Sequence, residues 1–180
     1  MAESANRTKK GGQDLIGGLD VRVNRNYFGR QTESFEAELD LPFLSTGEGG
    51  GTAEPFNGVF IRAPVVEKLL PAVHGEQTSE GALDGTVIAP SRHPQGTAAQ
   101  KQVLQPVEIM ATLPGRSRTL REKLVTMGLQ DETGDIVAVK QGNVFGTSFH
   151  PELTEDARIH VWWLQQVRDI LKEYHNLGEY

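Results

Sequence analysis

The sequence predicts one α/β domain spanning residues 1–180, and three observations predict it. The chain has 180 residues, 37% hydrophobic and 23% charged, enough apolar material to bury a core without the bias of a fibrous or disordered protein. Short runs rich in β-branched and aromatic residues recur between glycine- and proline-bearing breaks. The last third carries one long amphipathic pattern of helical period.

Residues 1–10 are read as the tail of a helix, and strands follow at 19–23 (LDVRV), 34–39 (SFEAEL) and 58–62 (GVFIR). Between them, 45–54 (STGEGGGTAE) is poor in apolar residues and is expected to be a flexible insertion, as is the longer stretch 74–105. Further strands are expected at 107–112, 136–140 and 143–149, with a weaker helix over 118–127. Gln141-Gly142 separates the last two strands, and glycine accepts the positive φ of a tight turn, so a hairpin is predicted there. From Thr154 the pattern turns helical. Thr154 is the expected cap, Glu155 and Asp156 suit the positive end of the dipole, and Ile159, Trp163, Val167 and Ile170 repeat at helical spacing.

Composition excludes several function classes. Lysine plus arginine is 18 and aspartate plus glutamate 24, a net charge of −6 with the cations scattered, which argues against nucleic acid and anionic membrane as partners. No apolar run approaches bilayer length and the first twelve residues are polar, so a cytoplasmic location is expected. There is no cysteine, which removes disulfides, thiolate metal sites and a cysteine nucleophile from these residues. His74, His93, His160 and His175 lack metal-ligand spacing and are read as surface residues; no metal site is expected. Trp162 and Trp163 are read as packing residues, since no cations interleave with aromatics as a stacking platform requires.

The stretch GTSFHPELTE holds the clearest chemistry. It places His150 and Glu152 two residues apart at a strand-to-helix junction, and Pro151 keeps His150 out of the α region. A carboxylate two residues on in an extended segment can hold one imidazole nitrogen while the other faces a reacting group, which is the arrangement of a general base and its orienting acid. The spacing is equally compatible with a histidine that only closes a strand end and a glutamate that prepares the following helix. A second cluster, NRNYFGRQTESFE, sets Arg25 and Arg30 beside aromatics and Gly29. An arginine fork there suits a carboxylate, and two solvated arginines on a turn fit the same pattern. In FIRAP, a strand delivers Arg62 into a loop stopped by Pro64, at the kind of strand end where α/β folds gather ligands.

Taken together, RNYFGRQTESFEAEL, FNGVFIRAP and AVKQGNVFGTSFHPELTEDARIH resemble the glutaminase subunit of pyridoxal 5′-phosphate synthase, a class I glutamine amidotransferase. The resemblance covers 15–62 and 107–163. It implies a three-layer, flavodoxin-like α/β fold that hydrolyses L-glutamine and passes ammonia to a synthase subunit in a hetero-oligomer, with no cofactor or metal of its own. On the matching motifs, His150 resembles the catalytic base and Glu152 its orienting acid, while Arg25, Ile61 and Arg62 match positions that bind or border glutamine. RNYFGRQTESFE speaks against amidotransferases of other pathways.

One departure follows. The family's nucleophile is a cysteine on a Gly-Thr-Cys-Ala-Gly turn, preceded by a Pro-Gly-Gly-Glu-Ser segment, and neither is in these residues. Residues 1–18 resemble the region just after that turn, which implies an N-terminally truncated domain, of low stability and inactive alone. A non-catalytic partner that docks on the synthase subunit is the alternative expectation.

Overall fold

The computed structural model describes residues 2–6, 14–25, 34–45, 54–70, 86–89, 105–113 and 136–176. Nine strands are described: β1 (Ala2–Asn6), β2 (Leu19–Asn24), β3 (Ser34–Leu39), β4 (Phe56–Ile61), β5 (Val65–Leu69), β6 (Thr86–Ile88), β7 (Glu108–Thr112), β8 (Ile136–Gln141) and β9 (Val144–Thr147). One α-helix, α1 (Arg158–Asn176), and two 3-10 turns, Pro42–Leu44 and Pro151–Leu153, complete the described elements. The fold is mixed α/β around a central sheet, as the sequence predicts.

Seven strands form that sheet in the order β6-β1-β2-β5-β8-β7, with β9 pairing β8; β3 and β4 make a separate antiparallel pair. Only β1 and β2 run parallel, and the other described pairings are antiparallel. Residue type explains the placement. In β8, Ile136 to Val139 are all buried, the unbroken apolar run of a strand covered on both faces. In β4, Phe56, Gly58 and Phe60 turn inward while Asn57 and Ile61 face out, the period-2 alternation of a strand with one solvated face. Val137 and Ala138 join the larger core with Leu39, Phe56, Phe60, Leu113, Phe149 and Ile159. Ile136 and Val139 pack with Leu19, Val21 and Val66 in a smaller one.

The described elements depart from the expected ones at three points. Residues 2–6 are a strand rather than a helix tail, because β2 and β6 hydrogen-bond both edges of an Ala/Ser segment whose own helical preference is weak. Within 74–105, Thr86–Ile88 forms an edge strand on β1, whereas the rest of that stretch apart from Ala89 and Gln105 lies outside the described residues. β5 was not expected; its short VVEKL run is held by β2 on one side and β8 on the other. The predicted helix over 118–127 and most of 45–54 lie outside the described residues.

The predicted β8–β9 hairpin is present, with Gly142 at φ 55. Its corner is fixed by Gln141, whose amide donates to Oδ2 of Asp20 at 2.7 Å and to the Gln105 carbonyl at 3.0 Å. The helix starts later than expected. The Thr154 hydroxyl donates back to the Pro151 carbonyl, and Asp156 instead accepts from the Arg158 backbone N–H at 3.0 Å, closing the first turn. Arg158 also binds both oxygens of Asp156 and donates to the carbonyls of Glu54 and Pro55. It is Trp162, not Trp163, that is buried, one residue off the predicted stripe; Phe43 and Phe145 lie 4.6 and 5.0 Å from its ring.

Candidate active site

The segment after β9 is locked residue by residue. The Ser148 N–H donates to the Val137 carbonyl at 2.8 Å, and the Thr147 hydroxyl donates to the Phe149 carbonyl at 2.9 Å. Phe149 then drops into the core, 5.8 Å from Phe56 and 5.7 Å from Phe60. With Phe149 anchored inward, His150 faces outward, and its backbone N–H donates to the Val59 carbonyl at 2.8 Å, tying it to β4.

Nδ1 of His150 lies 2.8 Å from Oε1 of Glu152. The pair forms by a different route from the one the spacing predicts. His150 is out of the α region, at φ −104 and ψ 88, as Pro151 requires, but the following residues close a 3-10 turn instead of continuing extended. Leu153 N–H donates to the His150 carbonyl, and the turn folds the Glu152 carboxylate back onto the ring. Glu152 is held below the usual carboxylate range, first by the hydrogen bond from His150, then by its own backbone N–H and the positive charges of His150 and His160. An ionised carboxylate only accepts, so Nδ1 carries the proton in this contact. Nε2 has no hydrogen-bond partner among the described residues, and both side chains are open to solvent, 41% and 58% exposed.

Ile61 and Arg62 lie two and three residues beyond Val59, at the end of β4, both exposed. Arg62 has φ 48, the one non-glycine with positive φ among the described residues, and the corner it makes sends the chain through Ala63 and Pro64 into β5. β5 begins with Val65 opposite Asn24, so Arg25, one residue past the end of β2, sits beside the start of that same connection. The fold therefore brings the 61–64 corner, the end of β2 and the His150 segment to neighbouring strand ends. No hydrogen bond or ion pair joins Arg62 to His150 or Glu152 among the described residues. Arg30 lies outside them.

His160 is the residue the sequence reading passed over. It is exposed, as expected, and adds the smallest of the influences that lower the Glu152 carboxyl. Its position ten residues after His150, past a short locked link, was the available signal. Among the described residues no group of three or more His, Cys, Asp or Glu could hold a metal ion, and no helix is long and apolar enough to cross a membrane.

The chain is similar to several known proteins. The Arabidopsis thaliana protein named "Probable pyridoxal 5′-phosphate synthase subunit PDX2" is 38% identical over 175 residues, 94% of this chain and 54% of the relative. The pyridoxal 5′-phosphate synthase subunit PdxT of Methanosarcina acetivorans is 34% identical, covering 92% of this chain and 52% of its own length. That of Streptomyces coelicolor is 35% identical, covering 88% and 49%. The chain thus spans about half the length of these curated relatives. A solved structure of a glutamine amidotransferase aligns with TM-score 0.47 and 30% identity, over 89% of this chain and 52% of that one. The model of the SNO glutamine amidotransferase family matches residues 4–106 and 109–169, and the chain belongs to that family.

Proposed function

We propose that the chain provides the base and substrate-binding part of the glutaminase of pyridoxal 5′-phosphate synthase, in the cytoplasm. The observation that carries this reading is the 2.8 Å contact between His150 and Glu152, with Nε2 making no hydrogen bond among the described residues. Glu152 holds the ring in the tautomer whose Nε2 accepts a proton. His150 takes that proton from a thiol, the thiolate adds to the glutamine side-chain amide carbon, and His150 returns the proton to the departing nitrogen, which leaves as ammonia. Water then cleaves the thioester to glutamate. The ammonia passes to the synthase subunit. Arg25, Ile61 and Arg62, gathered at adjoining strand ends, are assigned to the glutamine, with an arginine fork suited to its α-carboxylate.

The thiol comes from polypeptide other than these 180 residues, which hold no cysteine. The test is ammonia release from glutamine, in the presence of the synthase subunit, by the chain alone and by the chain joined behind the thiol-bearing half of a family member. Turnover only in the joined form, abolished by His150→Asn, is expected; a silent joined form that is folded refutes the assignment.

The absence of cysteine also favours a second reading, a non-catalytic partner that docks on the synthase subunit. A stable complex of the two chains, with no turnover in either form, selects it.

A further inference from the structure

His150 and Glu152 hold one another only at the surface. Both side chains are open to solvent, and an exposed pair is weakly restrained because water competes and each side chain gains entropy by leaving. Pro151 bars the α region for His150 but leaves φ free over about ±40°. The direction in which the ring is presented must therefore be set by the backbone that carries it.

One peptide group does this. The peptide joining Phe149 to His150 is held on both of its polar groups: the carbonyl accepts from the Thr147 hydroxyl at 2.9 Å, and the N–H donates to the Val59 carbonyl at 2.8 Å. In a trans peptide these groups point in opposite directions, so the two bonds fix the plane from opposite sides. They also come from different sheets. Thr147 ends β9 and pairs with Ala138 of the buried strand β8, whereas Val59 belongs to β4 in the two-stranded sheet. The plane in turn fixes the N–Cα bond of His150, and with it the place that the ring reaches. The bond to Val59 joins backbone to backbone and depends on no side chain; the bond to the Phe149 carbonyl depends on one hydroxyl.

We infer that Thr147 is a positioning residue that acts on His150 through this peptide group, holding the plane against the central sheet while Val59 holds it against β4. The inference rests on the glutaminase reading for its purpose, but the ring measurement that tests it requires no turnover.

Thr147→Val keeps the size and branching of the side chain and removes the donor, and Thr147→Ser keeps the donor. Far-UV circular dichroism establishes that each variant is folded. On the full chain, the His150 ring nitrogen shifts at alkaline pH, where the imidazole is neutral, report its tautomer. Thr147→Val is expected to turn His150 from the Nδ1–H tautomer to a mixture, and Thr147→Ser to match the natural chain. In the joined form, Thr147→Val is expected to lower kcat about tenfold to a hundredfold with KM for glutamine moved by no more than about twofold, and Thr147→Ser to restore kcat. An unmoved tautomer in folded Thr147→Val overturns the proposal, as does a mixed tautomer in Thr147→Ser or a loss confined to KM. Should Thr147→Val not fold, Thr147→Ala against Thr147→Ser carries the same comparison, since those two differ by the hydroxyl alone. A silent joined form counts against the glutaminase reading and leaves this inference to the nitrogen shifts, so the two fail separately.

Discussion

Asp20 and Gln141 grip each other twice: the Gln141 amide donates to Oδ2 of Asp20 at 2.7 Å, and the Asp20 backbone N–H donates to Oε1 of Gln141 at 2.8 Å. The residues are 121 apart in sequence, so this contact fastens the start of β2 to the β8–β9 corner. Gln141→Ala leaves the Asp20 N–H, its carboxylate and the Gln105 carbonyl without their partner, and is expected to cost about 1–3 kcal/mol in urea unfolding. A loss below the scatter of that measurement means water replaces the amide there.

Burial pushes the Asp20 carboxyl up, and the Gln141 hydrogen bond only partly offsets it. A carboxyl with a raised folded-state pKa binds more protons folded than unfolded, so its stability contribution grows as pH falls through the folded value and is lost as pH rises. Relative to Asp20→Asn, the natural chain is therefore expected to gain stability between pH 7 and pH 4. Parallel denaturation curves across that range decide the sign.

Glu152 behaves in the opposite sense. Its carboxyl is lowered, chiefly by His150, so its contribution is present above the ordinary carboxylate range and disappears as pH drops below it. Glu152→Gln is expected to leave the melting temperature at neutral pH nearly unchanged, as exposed substitutions do, while abolishing proton acceptance by His150 in the joined enzyme. A large drop in melting temperature with turnover intact would reverse the roles assigned here.

A Cβ added at Gly58 meets Leu39 Cδ1 at 2.8 Å and Phe60 Cε2 at 3.1 Å, and both side chains are fully buried. Phe60 is also stacked on Phe35 at 4.6 Å, so the ring has little room to give. Gly58→Ala is expected to destabilise by about 1–3 kcal/mol, read from the shift in denaturant midpoint.

Arg62 holds a left-handed conformation that costs a non-glycine residue about 1 kcal/mol. Arg62→Gly is expected to raise the melting temperature slightly and to weaken glutamine binding by the joined enzyme, measured calorimetrically. Stabilisation with unchanged affinity would remove the side chain from the site.

Much of this was legible from residue patterns. The alternation in LDVRVN and SFEAEL located β2 and β3, the apolar run in IVAVK located β8, and Gly142 located the hairpin, because each signal is local to the segment it describes. His150 and Glu152 were legible for the same reason. β1, β5 and β6 were not: AESAN, VVEKL and TVI are too short or too neutral to declare a strand, and become one only when a neighbouring edge completes their hydrogen bonds. The helix start was missed because Thr154 and Asp156 are both good caps, and the 3-10 turn after Pro151 consumed the first.

By itself, the sequence determined the α/β class, the family, the pairing of His150 with Glu152, and the lack of a thiol among these residues, since all of these are written in residue identity and short spacing. Tertiary structure alone decided that Glu152 reaches His150 around a 3-10 turn and that Arg25 and Arg62 come to adjoining strand ends. Those relations depend on strand pairing and on hydrogen bonds that close turns in space, and residue spacing along a chain does not encode either.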